Sequence, residues 1–208
     1  MTAISPFWRD VGRFYERGRS WWVAGTAVLA AAVTSVLFWV LDAGIIDTRL
    51  DNVGLSLQKS FTVERFARAV EAVGGDVQVA VRNIVTLDFA FPVIYAVALS
   101  SVYALAAGPG PSRHDLWIFS LPWAAALLDI GENLVHLSLL ADVHTAADLG
   151  KVTARPVLAA SLLASAKYTL IFVTLGAITW QAGRRRLWWV SGGAILVAAG
   201  FIAAIIQA

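Results

Sequence analysis

LWIFSLPWAAALLDIGENLVHLSLLA, residues 116–141, decides the fold. The stretch is 26 residues long, enough to cross a bilayer whose hydrocarbon core is about 30 Å thick. Asp129, Glu132, Asn133 and His136 stand near its middle at i, i+3, i+4 and i+7. On a helix this spacing puts all four on one face. An ionisable group at that depth costs roughly 2.5–3.5 kcal/mol on insertion scales, and it persists where it faces protein or a wet cavity. A polar stripe inside an apolar helix is therefore the feature that any functional account must explain.

The composition points the same way. Of 208 residues, 59% are hydrophobic and 14% charged, against about 45–50% and about 25% for an ordinary soluble domain. Apolar runs occur at about 21–41, 87–107, 116–141, 157–181 and 187–207. Trp21, Trp22, Trp39, Trp188 and Trp189 fall near the ends of such runs, as in an interfacial aromatic belt. The expectation is an all-α integral membrane protein, a bundle of five transmembrane helices, or four if the last segment does not insert. Residues 1–20 form a cytoplasmic amphipathic segment, and 21–208 a single bundle with an outer loop at 43–86.

Basic residues set the orientation. Arg9, Arg13, Arg17 and Arg19, then Arg113, then Arg184, Arg185 and Arg186 fall in regions that five spans place on one side. The positive-inside rule makes that side the cytoplasm. A multi-pass protein of the inner (plasma) membrane follows, with its N-terminus in the cytoplasm and its C-terminus outside. The polar lead and the full-length apolar run after it argue against a cleaved signal peptide.

Two helices outside the membrane are expected. Residues 6–19 open on Ser5 and Pro6 and gather Phe7, Trp8, Val11, Phe14 and Tyr15 on one side. This reads as a helix lying on the anionic inner surface. Residues 63–73 follow Thr62 and stop at Gly74 and Gly75, with Val63, Phe66, Val70 and Val73 forming an apolar stripe. That stripe needs a partner at the outer end of the bundle. Asp76 caps a further stretch through Arg82 into the second span, where Pro92 is expected to loosen the helix one turn after Asp88.

Depth arithmetic brings Lys167 into the site. Asp129 lies about 18 Å from the inner end of its span, and Lys167 about 15 Å below the outer end of the next, at 1.5 Å per residue. Adjacent antiparallel helices then bring Lys167 to Asp129 or Glu132, and pairing offsets part of the burial cost of each. Asp129, Glu132, His136 and Lys167 are the candidate catalytic residues; Asn133, Asp88, Tyr95 and Tyr168 are candidate binding residues. Ser161, Ser165 and Thr169 can add hydroxyls. Asp88, His136, Asp142, His144 and Asp148 together suggest an outward-facing mouth.

Several function classes are excluded or set aside. Cysteine is absent, so there are no disulfides, thiolate metal sites or cysteine nucleophiles. No phosphate loop, dinucleotide fingerprint or GxSxG is present, and no basic stripe suggests nucleic acid. Glu132 and His136 at i and i+4 suit a metal, but the remaining histidines, His114 and His144, lie in other regions, so neither metal nor cofactor is expected. The partners expected are membrane lipids, a hydrophobic small molecule, and a second copy of the chain through Gly192, Gly193 and Gly200 of the last span.

LDFAFPVIYAVAL (87–99) and LDIGENLVHL (128–137) carry a resemblance. The chain resembles an uncharacterised group of small bacterial polytopic membrane proteins that pair an LDF-x-FP-x-x-Y segment with a D-x-x-E-N segment in a later span. Leu87, Asp88, Phe89, Phe91, Pro92 and Tyr95, then Asp129, Glu132 and Asn133, are the matching positions. The resemblance implies an architecture and no activity. Five spans and many tryptophans are also similar to the tryptophan-rich sensory proteins, but the Trp-x-Pro motifs of that group are missing here.

Three functions compete on the residues alone. Two carboxylates in unlike surroundings can divide acid and base roles, which makes an enzyme acting on a lipid or isoprenoid. The same groups can bind and release a proton in a proton-coupled carrier, although five spans without inverted repeats make a thin one. In a structural or accessory membrane protein the polar cluster only fixes helix packing.

Overall fold

The computed structural model describes residues 6–45, 57–71, 88–141, 143 and 146–207. They form seven α-helices and no strand: α1 Pro6–Gly18, α2 Trp21–Ile45, α3 Val63–Glu71, α4 Phe91–Ala107, α5 Arg113–Ala141, α6 Ala154–Arg184 and α7 Trp188–Gln207. A 3-10 helix at Ala146–Lys151 leads into α6. Asp76, Arg82, Asp142 and His144 lie outside the described residues.

The sequence explains where these helices begin and end. Pro92 sits in the first turn of α4, where its missing N–H is one of the groups no helix satisfies. It therefore starts the helix; the expected loosening inside a span that begins at Asp88 does not occur, because α4 begins at Phe91. At the other end, Gly108 takes φ 85° and ψ −169° while its N–H closes on Ala104 O at 2.9 Å. That backbone region is essentially restricted to glycine. Ser112 and Asp115 then cap α5 reciprocally: the Asp115 N–H donates to Ser112 Oγ at 3.2 Å, and the Ser112 N–H to Asp115 Oδ2 at 2.9 Å.

α4, α5 and α6 make the centre of the bundle, with α2 packed on α4 and α7 on α6. Fully buried alanines, Ala96, Ala104, Ala125 and Ala160 among them, let the backbones approach closely. One apolar cluster joins Tyr103, Phe119, Ala125, Ile171, Leu175 and Ile178. A second, at the opposite end, joins Phe66, Ala69 and Val70 of α3 to Leu139, Leu140, Val143 and Val157. The described part of the expected 63–73 stripe, Val63, Phe66 and Val70, thus finds its partner; Val73 lies outside the described residues.

α1 docks on one end of α4 and α5, the inner end on the orientation expected from the basic residues. Tyr15 is fully buried. Its hydroxyl donates to Gly108 O at 2.7 Å, and its ring lies 5.4 Å from Phe119. Burial pushes this hydroxyl up to about 12, so it remains a donor at any physiological pH. Trp8 meets Trp117 at 4.7 Å, whereas Phe7 and Phe14 of the same expected stripe stay exposed. Asp115 ties this end together, accepting from Tyr103 Oη at 2.8 Å on α4 and from Gln181 Nε2 at 3.5 Å on α6. Trp21 stacks on Trp189 at 5.2 Å, so α2 and α7 start at one end. The basic segments around α1, the 108–112 turn and Arg185 therefore gather there.

The outer surface reverses the soluble pattern. Leu127, Leu134, Leu162, Trp180 and Leu196 are exposed, while Asp129, Glu132 and Lys167, the charged side chains midway along α5 and α6, are buried. By length and composition α5 and α6 are each able to cross a membrane; Trp21–Val36, Phe91–Ala107 and Trp188–Ala199 are shorter apolar stretches.

Gly108 tests the inner end. The Arg185 guanidinium fills the space that a Cβ on Gly108 would need, while Gly110, also at positive φ (72°), has open space there. Gly108→Ala should lower stability by about 1–3 kcal/mol from backbone strain, with the exposed Arg185 side chain swinging aside, and should exceed Gly110→Ala. Thermal melts in detergent decide it; a loss no larger than that of Gly110→Ala would mean that the Gly108 backbone relaxes to accept a side chain.

Candidate functional site

The site is built on the facing sides of α5 and α6. Asp129, Glu132, Asn133, His136, Ser161 and Lys167 are each at most 4% exposed. The Lys167 ammonium donates to Asp129 Oδ1 and to Glu132 Oε2, both at 2.7 Å. Both carboxylates share one cation, where the depth argument required only one to reach it. Lys167 also lies 5.0 Å from the centre of the Tyr168 ring, within cation–π range.

The polar atoms continue outward from this ion cluster. Glu132 Oε1 lies 3.8 Å from His136 Nδ1, beyond hydrogen-bond distance. Ser161 precedes Lys167 by six residues, about 9 Å along α6, which brings it level with His136 on antiparallel α5. Glu132 Oε1, Asn133 Nδ2, His136 Nε2 and Ser161 Oγ make no hydrogen bond with other protein groups. Such a group usually has a partner when buried, in protein or in ordered water.

Other elements close the site. Phe66 of α3 stacks on His136, with ring centres 6.4 Å apart and planes at 21°. Tyr168 Oη donates to Gln58 Oε1 at 2.6 Å, tying the approach to α3 onto α6. Tyr95 on α4 is buried with its hydroxyl toward Asp129 but outside hydrogen-bond geometry. Asp88, half-buried just before α4, adds its negative field at Glu132 and Tyr168.

All eight candidate residues thus fall in or beside one region. Of the expected mouth, Asp148 turns to Lys151 instead, at 2.6 Å. Sequence reading missed Gln58 and the Phe66–His136 stack. Neither has a local signal, since each depends on where residues 57–71 land. Lys167 Nζ sits between the carboxylates where a metal would otherwise balance their charge, and among the described residues no group of three or more His, Asp or Glu is arranged to hold a metal ion.

Compared with protein-family models, curated proteins and solved structures, the chain matches none.

The ion cluster carries a direct test. Lys167→Met leaves two buried carboxylates uncompensated and should cost about 3–5 kcal/mol. Lys167→Met with Asp129→Asn and Glu132→Gln removes the stranded charges and should recover most of that loss. Thermal melts of the single and triple variants in detergent measure the difference. A triple variant no more stable than the single would show that the three groups are not coupled.

Proposed function

We propose that this chain is a five-span inner-membrane enzyme that performs acid–base chemistry on a lipid or isoprenoid held between α5 and α6. The observation that supports it is the set of four unpaired, buried polar atoms beside a paired ion cluster. A network whose only task is helix packing gains nothing by leaving these atoms unmade, at about 1–3 kcal/mol for each. A site that receives a hydrogen-bonding guest does gain.

The roles follow from position. Asp129 and Lys167 hold the inner end of the site as fixed charges. Glu132 Oε1, the free oxygen of its carboxyl, is the atom that exchanges a proton with the guest. His136, 3.8 Å away, is the second proton-transfer group. For an isoprenoid alkene, Glu132 gives a proton to one alkene carbon and a C–H bond forms. The neighbouring carbon takes the positive charge, and His136 removes a proton from the next carbon. The double bond moves by one position, the proton taken by His136 passes back to Glu132 Oε1 to restore the starting pair, and no co-reactant is consumed. Asn133, Tyr95, Tyr168 and Asp88 surround the guest. The resemblance to small bacterial polytopic membrane proteins fits this setting.

The membrane reading draws on the exposed leucines, valines and tryptophans around a polar interior, a pattern that suits lipid as solvent. The basic residues gathered at the α1 end make that end cytoplasmic. A cysteine appended at the C-terminus of this cysteine-free chain should be labelled from outside by an impermeant reagent. Labelling only after permeabilisation would leave a four-span arrangement.

Deuterium exchange tests the chemistry. Purified protein in D2O should incorporate deuterium into an added hydroxyl-bearing isoprenoid such as farnesol. Glu132→Gln should lower the rate by roughly 10²–10⁴-fold, the usual contribution of a general acid or base. Incorporation no faster than with heat-denatured protein would overturn the enzyme reading and favour a packing role.

A further inference from the structure

The polar atoms left over at this site also define the head group that it takes. We infer that the site binds an uncharged, hydroxyl-bearing head on an apolar chain, an isoprenoid or long-chain alcohol, and excludes phosphate, pyrophosphate and carboxylate heads; this rests on the reading of the α5–α6 site as a ligand site.

Cation supply carries the exclusion. Lys167 already donates to Asp129 and Glu132 at 2.7 Å each, so its charge is engaged. Arg65, Arg68 and Arg155, the described arginines near the α3 end, are all exposed. Lys59, half-buried before α3, already has an interaction of its own. Among the described residues no arginine fork, the usual reader of phosphate, stands beside the unpaired atoms.

Hydrogen-bond chemistry carries the positive half. Glu132 Oε1 can accept, Asn133 Nδ2 can donate, and His136 Nε2 and Ser161 Oγ can do either. A hydroxyl donates one hydrogen bond and accepts up to two, so a single alcohol group can meet Glu132 and Asn133 or Ser161 together. A hydrocarbon would leave all four atoms unpaired. An ammonium could pair with Glu132 Oε1 but would leave Asn133 Nδ2 facing a group that has only donors. The Phe66 ring against His136 supplies an apolar wall at the outer end, suited to the first carbons of a chain.

The test uses the full-length protein in detergent with four probes of one chain type: farnesol, farnesyl phosphate, farnesylamine and farnesene. Saturating farnesol should raise the melting temperature by roughly 4 °C, and the other three by much less. Ser161→Ala, which deletes an unpaired hydroxyl and should fold at least as well, should weaken farnesol binding roughly fivefold, the value of one hydrogen bond. An equal or larger rise with farnesyl phosphate overturns the exclusion of anions. A larger rise with farnesylamine makes the site a cation site, and no rise with farnesol ends the inference. Deuterium exchange into farnesol separates the two readings. Exchange by a protein that farnesyl phosphate stabilises as well as farnesol does leaves the enzyme standing without this head-group preference, and farnesol binding without exchange leaves a binding site without the chemistry.

Discussion

One ammonium shared by two carboxylates holds the bundle together. Lys167 reaches Asp129 and Glu132 at 2.7 Å from the neighbouring helix. None of the three can stay buried alone, because an uncompensated charge in a low-dielectric interior is costly. The pairing therefore fixes the register of α5 against α6. Sliding either helix by one turn, about 5.4 Å, would strand all three. With that register set, Ser161 comes level with His136, and Val157 reaches Leu139 and Leu140 in the outer apolar cluster. Ile171, Leu175 and Ile178 fall in the inner cluster with Ala125. The polar layer lies between two apolar ones, and the ion cluster decides where each begins.

A layer of this kind can be judged by what it satisfies. The Lys167 ammonium is bonded twice and lies over Tyr168. One step outward, bonding stops: Glu132 keeps one oxygen engaged and one free, and Asn133, His136 and Ser161 each keep an unpaired atom. The boundary runs through the Glu132 carboxyl itself. Its Oε2 accepts from Lys167, and its Oε1 accepts from no protein group. On the proposed function, that division would give one residue both duties without requiring the ion pair to break.

The sequence made the core of this site readable because two simple measures suffice. Helical spacing put Asp129, Glu132, Asn133 and His136 on one face, and counting residues from the span ends placed Lys167 at their depth. Neither measure could show that both carboxylates would share the lysine, which depends on rotamers at the α5–α6 contact. The periodicity of Val63, Phe66 and Val70 revealed α3 and its need for a partner, but not that Phe66 would cover His136. The N-terminal segment was harder. Its apolar residues predicted a helix lying on lipid, yet Tyr15 is buried on the Gly108 carbonyl 93 residues away. Amphipathicity shows that a face wants burial and does not say whether lipid or protein buries it. Pro92 was misjudged because proline breaks a helix interior and starts a helix equally well, and only the true start at Phe91 decides between them.

The two ends of the bundle are secured by different means. At the inner end the contacts are polar and directional: Tyr15 to Gly108, the Ser112–Asp115 cap, and Tyr103 and Gln181 to Asp115. These link α1, α4, α5 and α6 through backbone carbonyls and one carboxylate, so no element there can shift alone. At the outer end α3 has nine residues, too few to persist as a helix without packing. It is held by burying Phe66, Ala69 and Val70, and by Gln58 on Tyr168. Apolar burial is non-directional, so of these contacts only Gln58 on Tyr168 is directional. The unpaired atoms lie on the α3 side of the ion cluster, beneath Phe66. The bundle is thus held by directional bonds where the charges are locked and mainly by apolar burial beside the unpaired atoms.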